Sequence, residues 1–249
     1  MGRRPDDLAI IDWKDYNGDT AVFPVCMKSP AVNGRPLRAQ LKAAAQSIDN
    51  LIVVICDSLN RFNSSSANGL DHSTDQGTQW LETNLNTIKE FFPEVQVLRW
   101  ERDIRSHPSF ERYLKTVQDL YKTSSRYRKL RDSMSAYYLE SKYQRFEADY
   151  KNGLATAFDV EEAIQSSADY LDEEFAGDMV YYDLTGGLPH IYWGLYVDDH
   201  QIFSRESGLN LPFPQTLPVT SKRLGSSIAA SDIANTTIQD ITSKLPIAA

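Results

Sequence analysis

The most constraining feature of this 249-residue chain is the run Leu51–Cys56, LIVVIC. Six consecutive apolar residues, most of them β-branched, leave no polar face. A strand of this kind must be buried on both sides, as the central strands of parallel sheets are. It is followed by Asp57-Ser58-Leu59-Asn60-Arg61-Phe62. A shorter run at residues 21–26, AVFPVC, and another at 95–100, VQVLRW, read as companion strands. Between them, Pro36–Ile48 and Thr78–Phe92 carry helical apolar spacing, with Pro near the start of the first and Pro93 after the second. Strands alternating with helices of crossover length predict an α/β fold around a mostly parallel, Rossmann-like sheet. Ligands of such sheets bind at the carboxyl ends of the strands, which places Ser58 where chemistry is expected.

The rest of the chain reads as more helix. Phe110–Tyr121 and Arg126–Tyr150 are long helical segments, and Val160–Phe175 opens behind Asp159 as N-cap. Residues 63–77, NSSSANGLDHSTDQG, read as loop. Met179–Leu184 reads as a strand and Ile191–Val197 as another strand or a strand end. Pro212, Pro214 and Pro218 indicate loop, and residues 226–249 a weakly ordered tail on a single domain whose core spans about 20–225. Apolar residues make up 41% and charged residues 24%, which excludes collagen-like, coiled-coil and disordered chains. No stretch reaches the roughly 18 apolar residues that span a bilayer. The opening MGRRPDDLAIIDW has no apolar run of signal-peptide length, so the expectation is a cytoplasmic protein without membrane contact. Cys26 and Cys56 both lie in apolar runs and read as buried, reduced thiols. No oligomer signal is present, and a monomer is expected.

The net charge of −8 conceals an asymmetry. Residues 99–151 hold 13 Lys/Arg against 8 Asp/Glu, which leaves −13 on the remainder. Lys122–Arg131, KTSSRYRKLR, holds five bases and no acid. If helical, it sets Lys122, Arg126 and Lys129 in one stripe. Such a stripe is either a solvated face or a grip on phosphates.

The candidate chemical groups are open to two readings each. Ser58 is a nucleophile or a helix N-cap or loop serine; the flanking glycines of a hydrolase elbow are absent from C-D-S-L-N. Tyr170 and Glu174, four residues apart on a helix, share a face and can hold an amine and move its protons, or form a half-buried surface pair. Asp198, Asp199 and His200 lack the spacing of a metal site, and no nucleotide P-loop is present, so no metal and no cofactor are expected.

Together these pieces resemble the cyclodipeptide synthases. The matching segments occur in family order: Leu51–Asn63 (LIVVICDSLNRFN), Gln76–Asn84 (QGTQWLETN), Val97–Pro108 (VLRWERDIRSHP), Tyr170–Ala176 (YLDEEFA) and Ile191–Gly194 (IYWG). The resemblance implies a domain related to class I tyrosyl- and tryptophanyl-tRNA synthetases, two aminoacyl-tRNA substrates and a cyclic dipeptide product. It makes Ser58 the residue that carries the first aminoacyl group as an ester. Tyr170 and Glu174 would hold and deprotonate amino groups, and Tyr192 would position the aminoacyl moiety and serve later proton transfer. Val54, Cys56, Arg61, Asp178 and His190 would shape the substrate pocket, and Lys122, Arg126, Arg128, Lys129 and Arg131 would hold tRNA. Arg61 stands where one large subgroup has Asn, and Trp193 follows Tyr192 where the other subgroup has Pro; Tyr196 competes for the role of Tyr192. These departures resemble a divergent branch that uses arginine, a cation an acid such as Asp178 would suit. The rival readings are a catalytically inactive tRNA- or RNA-binding protein and a serine-dependent esterase or acyltransferase.

Overall fold

The computed structural model describes residues 9–11, 13, 16–27, 29–63, 69–152, 158–192 and 216–221. Its centre is a six-stranded sheet. Strand β2 (Thr20–Val25) pairs in parallel with β3 (Asn50–Ile55), and β3 in parallel with β4 (Gln96–Arg99). On the other side of β2 follow β5 (His190–Tyr192) and β6 (Thr216–Ser221), both parallel, and then the antiparallel β1 (Ala9–Ile11). The α/β, mostly parallel expectation holds.

The LIVVIC run is apolar throughout because the two faces of β3 enter two cores. Leu51, Val53 and Ile55 pack against Leu37 and Leu41 of α1 (Gly34–Ala44) and against Trp80 and Ile88 of α2 (Gly69–Lys89). Ile52, Val54 and Cys56 face the opposite core. That core is filled by Trp100, by Phe110 and Val117 of α3 (Phe110–Thr123), by Tyr127 of α4 (Ser125–Lys151), and by Leu171, Phe175 and Met179 of α5 (Val160–Thr185). Chain order therefore switches at β2: β3 and β4 build outward on one side, β5 and β6 on the other. A switch of this kind opens a crevice at the carboxyl ends of the two diverging strands.

Three expectations are corrected. Gly69–Gly77, expected as loop, forms the first turns of α2; 64–68 lie outside the described residues. Met179–Leu184, expected as a strand, continues α5 to Thr185, where Gly186 at φ 69° ends the helix. Its apolar run is continuous because α5 is enclosed by the sheet and by α3 and α4, and an enclosed helix is apolar nearly all round. Pro218, expected in a loop, sits in β6 opposite Tyr192. The N-cap holds: Asp159 accepts from the Glu162 amide at 2.9 Å. Residues 193–197, Pro212, Pro214 and the tail lie outside the described residues. Among the described residues, no helix is long and apolar enough to cross a membrane.

Candidate active site

A pocket lies between helix α5 and the face of the sheet formed by β2, β5 and the end of β3. Pro24 and Cys26 reach it from β2 and the residue after it, Cys56 from the end of β3, and His190 from β5. Helix α5 supplies Tyr170, Glu174, Asp178 and Tyr181, with Trp100 and Phe175 completing the wall. The α5 residues recur at offsets of 0, 4, 8 and 11, so one helix face delivers all four. The Tyr170 hydroxyl donates to Glu174 Oε1 at 3.1 Å, the pair expected from their spacing.

A second pair lies deeper. The Tyr181 hydroxyl is 2.6 Å from His190 Nδ1 and also hydrogen-bonds Asp178. Burial, and then the Asp178 carboxylate, push the Tyr181 phenol well above the ordinary tyrosine value. Burial also pushes the Cys56 thiol up, helped by the neighbouring Cys26 and by the negative charge of Glu174 and Asp178. The pocket thus combines two carboxylates, two phenols and an imidazole with apolar walls.

Ser58 opens a 3-10 segment, Ser58–Asn63, directly after β3. Its hydroxyl is fully buried and has no hydrogen-bond partner among the described residues. Among the described residues it makes no capping bond. The backbone around it is held from several sides. The Ser58 amide donates to Asp57 Oδ1 at 2.9 Å, and Asp57 Oδ2 accepts from Arg99 Nε at 2.6 Å. Arg61 Nη1 donates to the Ser58 carbonyl at 2.9 Å, while its other amino group pairs with Glu173. Gly77 lets α2 approach this turn: a Cβ there would lie 2.5 Å from Asp57 Cβ. Gly177 plays the same part on α5, where a Cβ would lie 2.2 Å from Trp100 Cη2.

Of the expected site residues, the structure gathers Cys56, Tyr170, Glu174, Asp178 and His190 around one pocket. Ser58 stands two residues beyond Cys56, covered rather than lining that space. Two expected pocket residues are placed elsewhere. Val54 is packed wholly into the core, and Arg61 is spent bracing the Ser58 turn. The Tyr192 backbone lies on β5, two residues from His190. Tyr196, Asp198, Asp199 and His200 lie outside the described residues.

The basic segment is not one stripe. Ser124, with φ −103° and ψ 113°, breaks the helix, so Lys122 ends α3 while Arg126 and Lys129 begin α4. Arg128 donates to the Tyr121 and Lys122 carbonyls and caps α3. Arg131 turns inward and forms a bidentate pair with Asp172 at 2.7 and 2.9 Å, so it is not presented to a polyanion. Lys122, Arg126, Arg128 and Lys129 are exposed.

No family model and no curated protein matches the sequence. Solved structures do match the fold. A cyclodipeptide synthase from Fluoribacter dumoffii superposes with a TM-score of 0.69 at 15% identity, over 86% of this chain and 97% of that one. One from Candidatus Glomeribacter gigasporarum, bound to Phe-tRNAPhe, gives 0.63 at 21% identity, over 84% and 89%. A Mycobacterium tuberculosis protein, whose structure relates cyclodipeptide synthetases to type I tRNA synthetases, gives 0.53 at 15%, over 89% and 99%. This chain therefore has the fold of the cyclodipeptide synthases.

Proposed function

We propose that this protein is a cyclodipeptide synthase that takes aminoacyl groups from two aminoacyl-tRNAs and joins them as a 2,5-diketopiperazine. The observation that carries this reading is the unpartnered, buried Ser58 hydroxyl just beyond a pocket faced by the Tyr170–Glu174 pair. A fold shared with synthases, one of them bound to Phe-tRNA, supports it.

In this reading Ser58 Oγ attacks the ester carbonyl of the first aminoacyl-tRNA. The bond to the ribose oxygen breaks, and that oxygen leaves with the serine proton. An aminoacyl-tRNA is already an activated ester, so a covalent double displacement needs no prior activation. The amine of one aminoacyl group then attacks the ester carbonyl of the other, and a second amine–ester attack closes the ring; the two ester bonds break, releasing the second tRNA's ribose hydroxyl and the Ser58 hydroxyl. An ammonium cannot attack, so Glu174 takes the proton while Tyr170 holds the nitrogen. Tyr192 is assigned to the later proton transfer. The exposed Lys122, Arg126, Arg128 and Lys129 contact tRNA phosphates. Asp178 beside Glu174 makes the pocket acidic and favours a cationic side chain such as that of arginine.

Expression in a bacterial host, with mass spectrometry of the culture medium, tests the reading. Diketopiperazines are expected from the native chain and not from Ser58→Ala. Persistence of product in that variant overturns the ester at Ser58. Asp178→Ala is expected to change the amino acids joined; unchanged identity and yield overturn its role.

A further inference from the structure

Cys26 and Cys56 face one another across adjacent strands. The β2–β3 ladder runs in parallel register as far as Val25 and Ile55, and the Cys56 amide donates to the Val25 carbonyl at 3.0 Å. The next residues of the two chains are Cys26 and Cys56, about one strand spacing, ~4.8 Å, apart. That spacing falls within the roughly 4.4–6.8 Å between the Cα atoms of bridged cysteines. Both residues line the same pocket, so both thiols lie on one side of the sheet; neither is in a disulfide, and both are partly buried. The two thiols are also close enough to interact electrostatically. Both cysteines follow the last paired residues of their strands, Val25 and Ile55.

We propose that Cys26 and Cys56 form an oxidisable dithiol, which a hydroperoxide converts to an intramolecular disulfide across the pocket. One thiolate attacks the peroxide oxygen, giving a sulfenic acid and, from hydrogen peroxide, water. The second sulfur attacks the sulfenic sulfur; the S–O bond breaks, and hydroxide leaves with the second thiol proton as water. Two thiols are oxidised by two electrons and one peroxide is reduced. The bridge ties the end of β2 to the end of β3 and withdraws both sulfurs from the space that ligands would occupy. Burial raises the Cys56 thiol, so bridging through its thiolate is slow at neutral pH and accelerates as pH rises.

The test uses the full native chain, treated with hydrogen peroxide at neutral and mildly alkaline pH, with mass spectrometry under non-reducing conditions. The expected product is a monomer lighter by two hydrogen atoms. It should carry one Cys26–Cys56 cross-linked peptide, form faster at the higher pH and revert with dithiothreitol. In Cys26→Ser, a sulfenic acid trapped by dimedone on Cys56 should replace the bridge. The proposal is overturned by disulfide-linked dimers, by separate sulfinic acids on the two residues, or by two thiols still free after a reference dithiol has been oxidised. These readouts do not use aminoacyl-tRNA, so they stand apart from the proposed synthase activity.

Discussion

The Arg99 guanidinium donates from Nε to the buried Asp57 carboxylate at 2.6 Å, tying the end of β4 to the residue before Ser58. Arg99 Nη2 also donates to the Thr74 carbonyl at 2.9 Å, so one side chain fastens β4, α2 and the Ser58 turn together. Asp57 is 1% exposed. Arg99→Ala would leave its charge buried without a cation, a loss of about 3–5 kcal/mol. Urea unfolding of Arg99→Ala, Asp57→Asn and the double variant should give strongly non-additive losses, with the double variant better than the sum of its parts. Additive losses would mean that the pair does not brace the turn.

Ser58→Ala separates chemistry from stability. The hydroxyl is buried without a partner among the described residues, a state that costs about 1–3 kcal/mol of desolvation. Removing it should leave the thermal midpoint unchanged or raised, while product formation is abolished. A bonded structural serine would behave in the opposite way, with a lowered midpoint and residual activity.

The parts of the site that were legible in the sequence are those governed by local period. Tyr170 and Glu174 fall four apart on a helix with a recognisable N-cap, and the LIVVIC run can hardly be anything but a doubly buried strand. Tyr181 was not legible, because MVYYDL is as good a strand as a helix until the sheet, α3 and α4 enclose it. Arg61 looked like a pocket residue because Glu173, its partner, lies 112 positions away. The basic segment misled for a related reason: period places five bases near one another, but only the fold decides which of them turns to Asp172.

Arg131 and its neighbours should therefore respond differently to removal. Burial, the largest single influence, works against the Arg131 charge, but the hydrogen bonds to Asp172 and the negative charge of that carboxylate together hold it above the ordinary arginine value. Arg131→Ala should cost about 3–5 kcal/mol in chemical unfolding, as broken buried pairs do. Arg126→Ala and Lys129→Ala, on the exposed face, should stay within about 0.5 kcal/mol of the native chain. If these two contact tRNA, each removal should lower the salt dependence of tRNA binding by about one unit of slope. A stable Arg131→Ala protein with a reduced salt slope would return that residue to the binding surface.

Alkaline pH should destabilise the protein partly through Tyr181. Its hydroxyl faces Asp178 and Glu174 of α5, Cys56 just after β3 and His190 of β5, and burial followed by the Asp178 charge raises it well above the usual tyrosine range. In the unfolded chain a tyrosine releases its proton near pH ~10. Below that point both states hold the proton, and the contribution of Tyr181 to stability is complete. Above it the unfolded chain gives up the proton and the folded chain does not, so stability falls as pH rises, by about 1.36 kcal/mol per unit for this group. Tyr113 and Tyr121 are raised as well, mainly by burial, and act in the same window. Tyr181→Phe should then remove one proton's share of the slope and no more. At neutral pH it should cost about 0.5–1.5 kcal/mol for the lost bond to His190. Urea unfolding of both chains between neutral pH and pH ~11 reads this directly. Parallel curves throughout would mean that the Tyr181 phenol titrates freely in the folded protein.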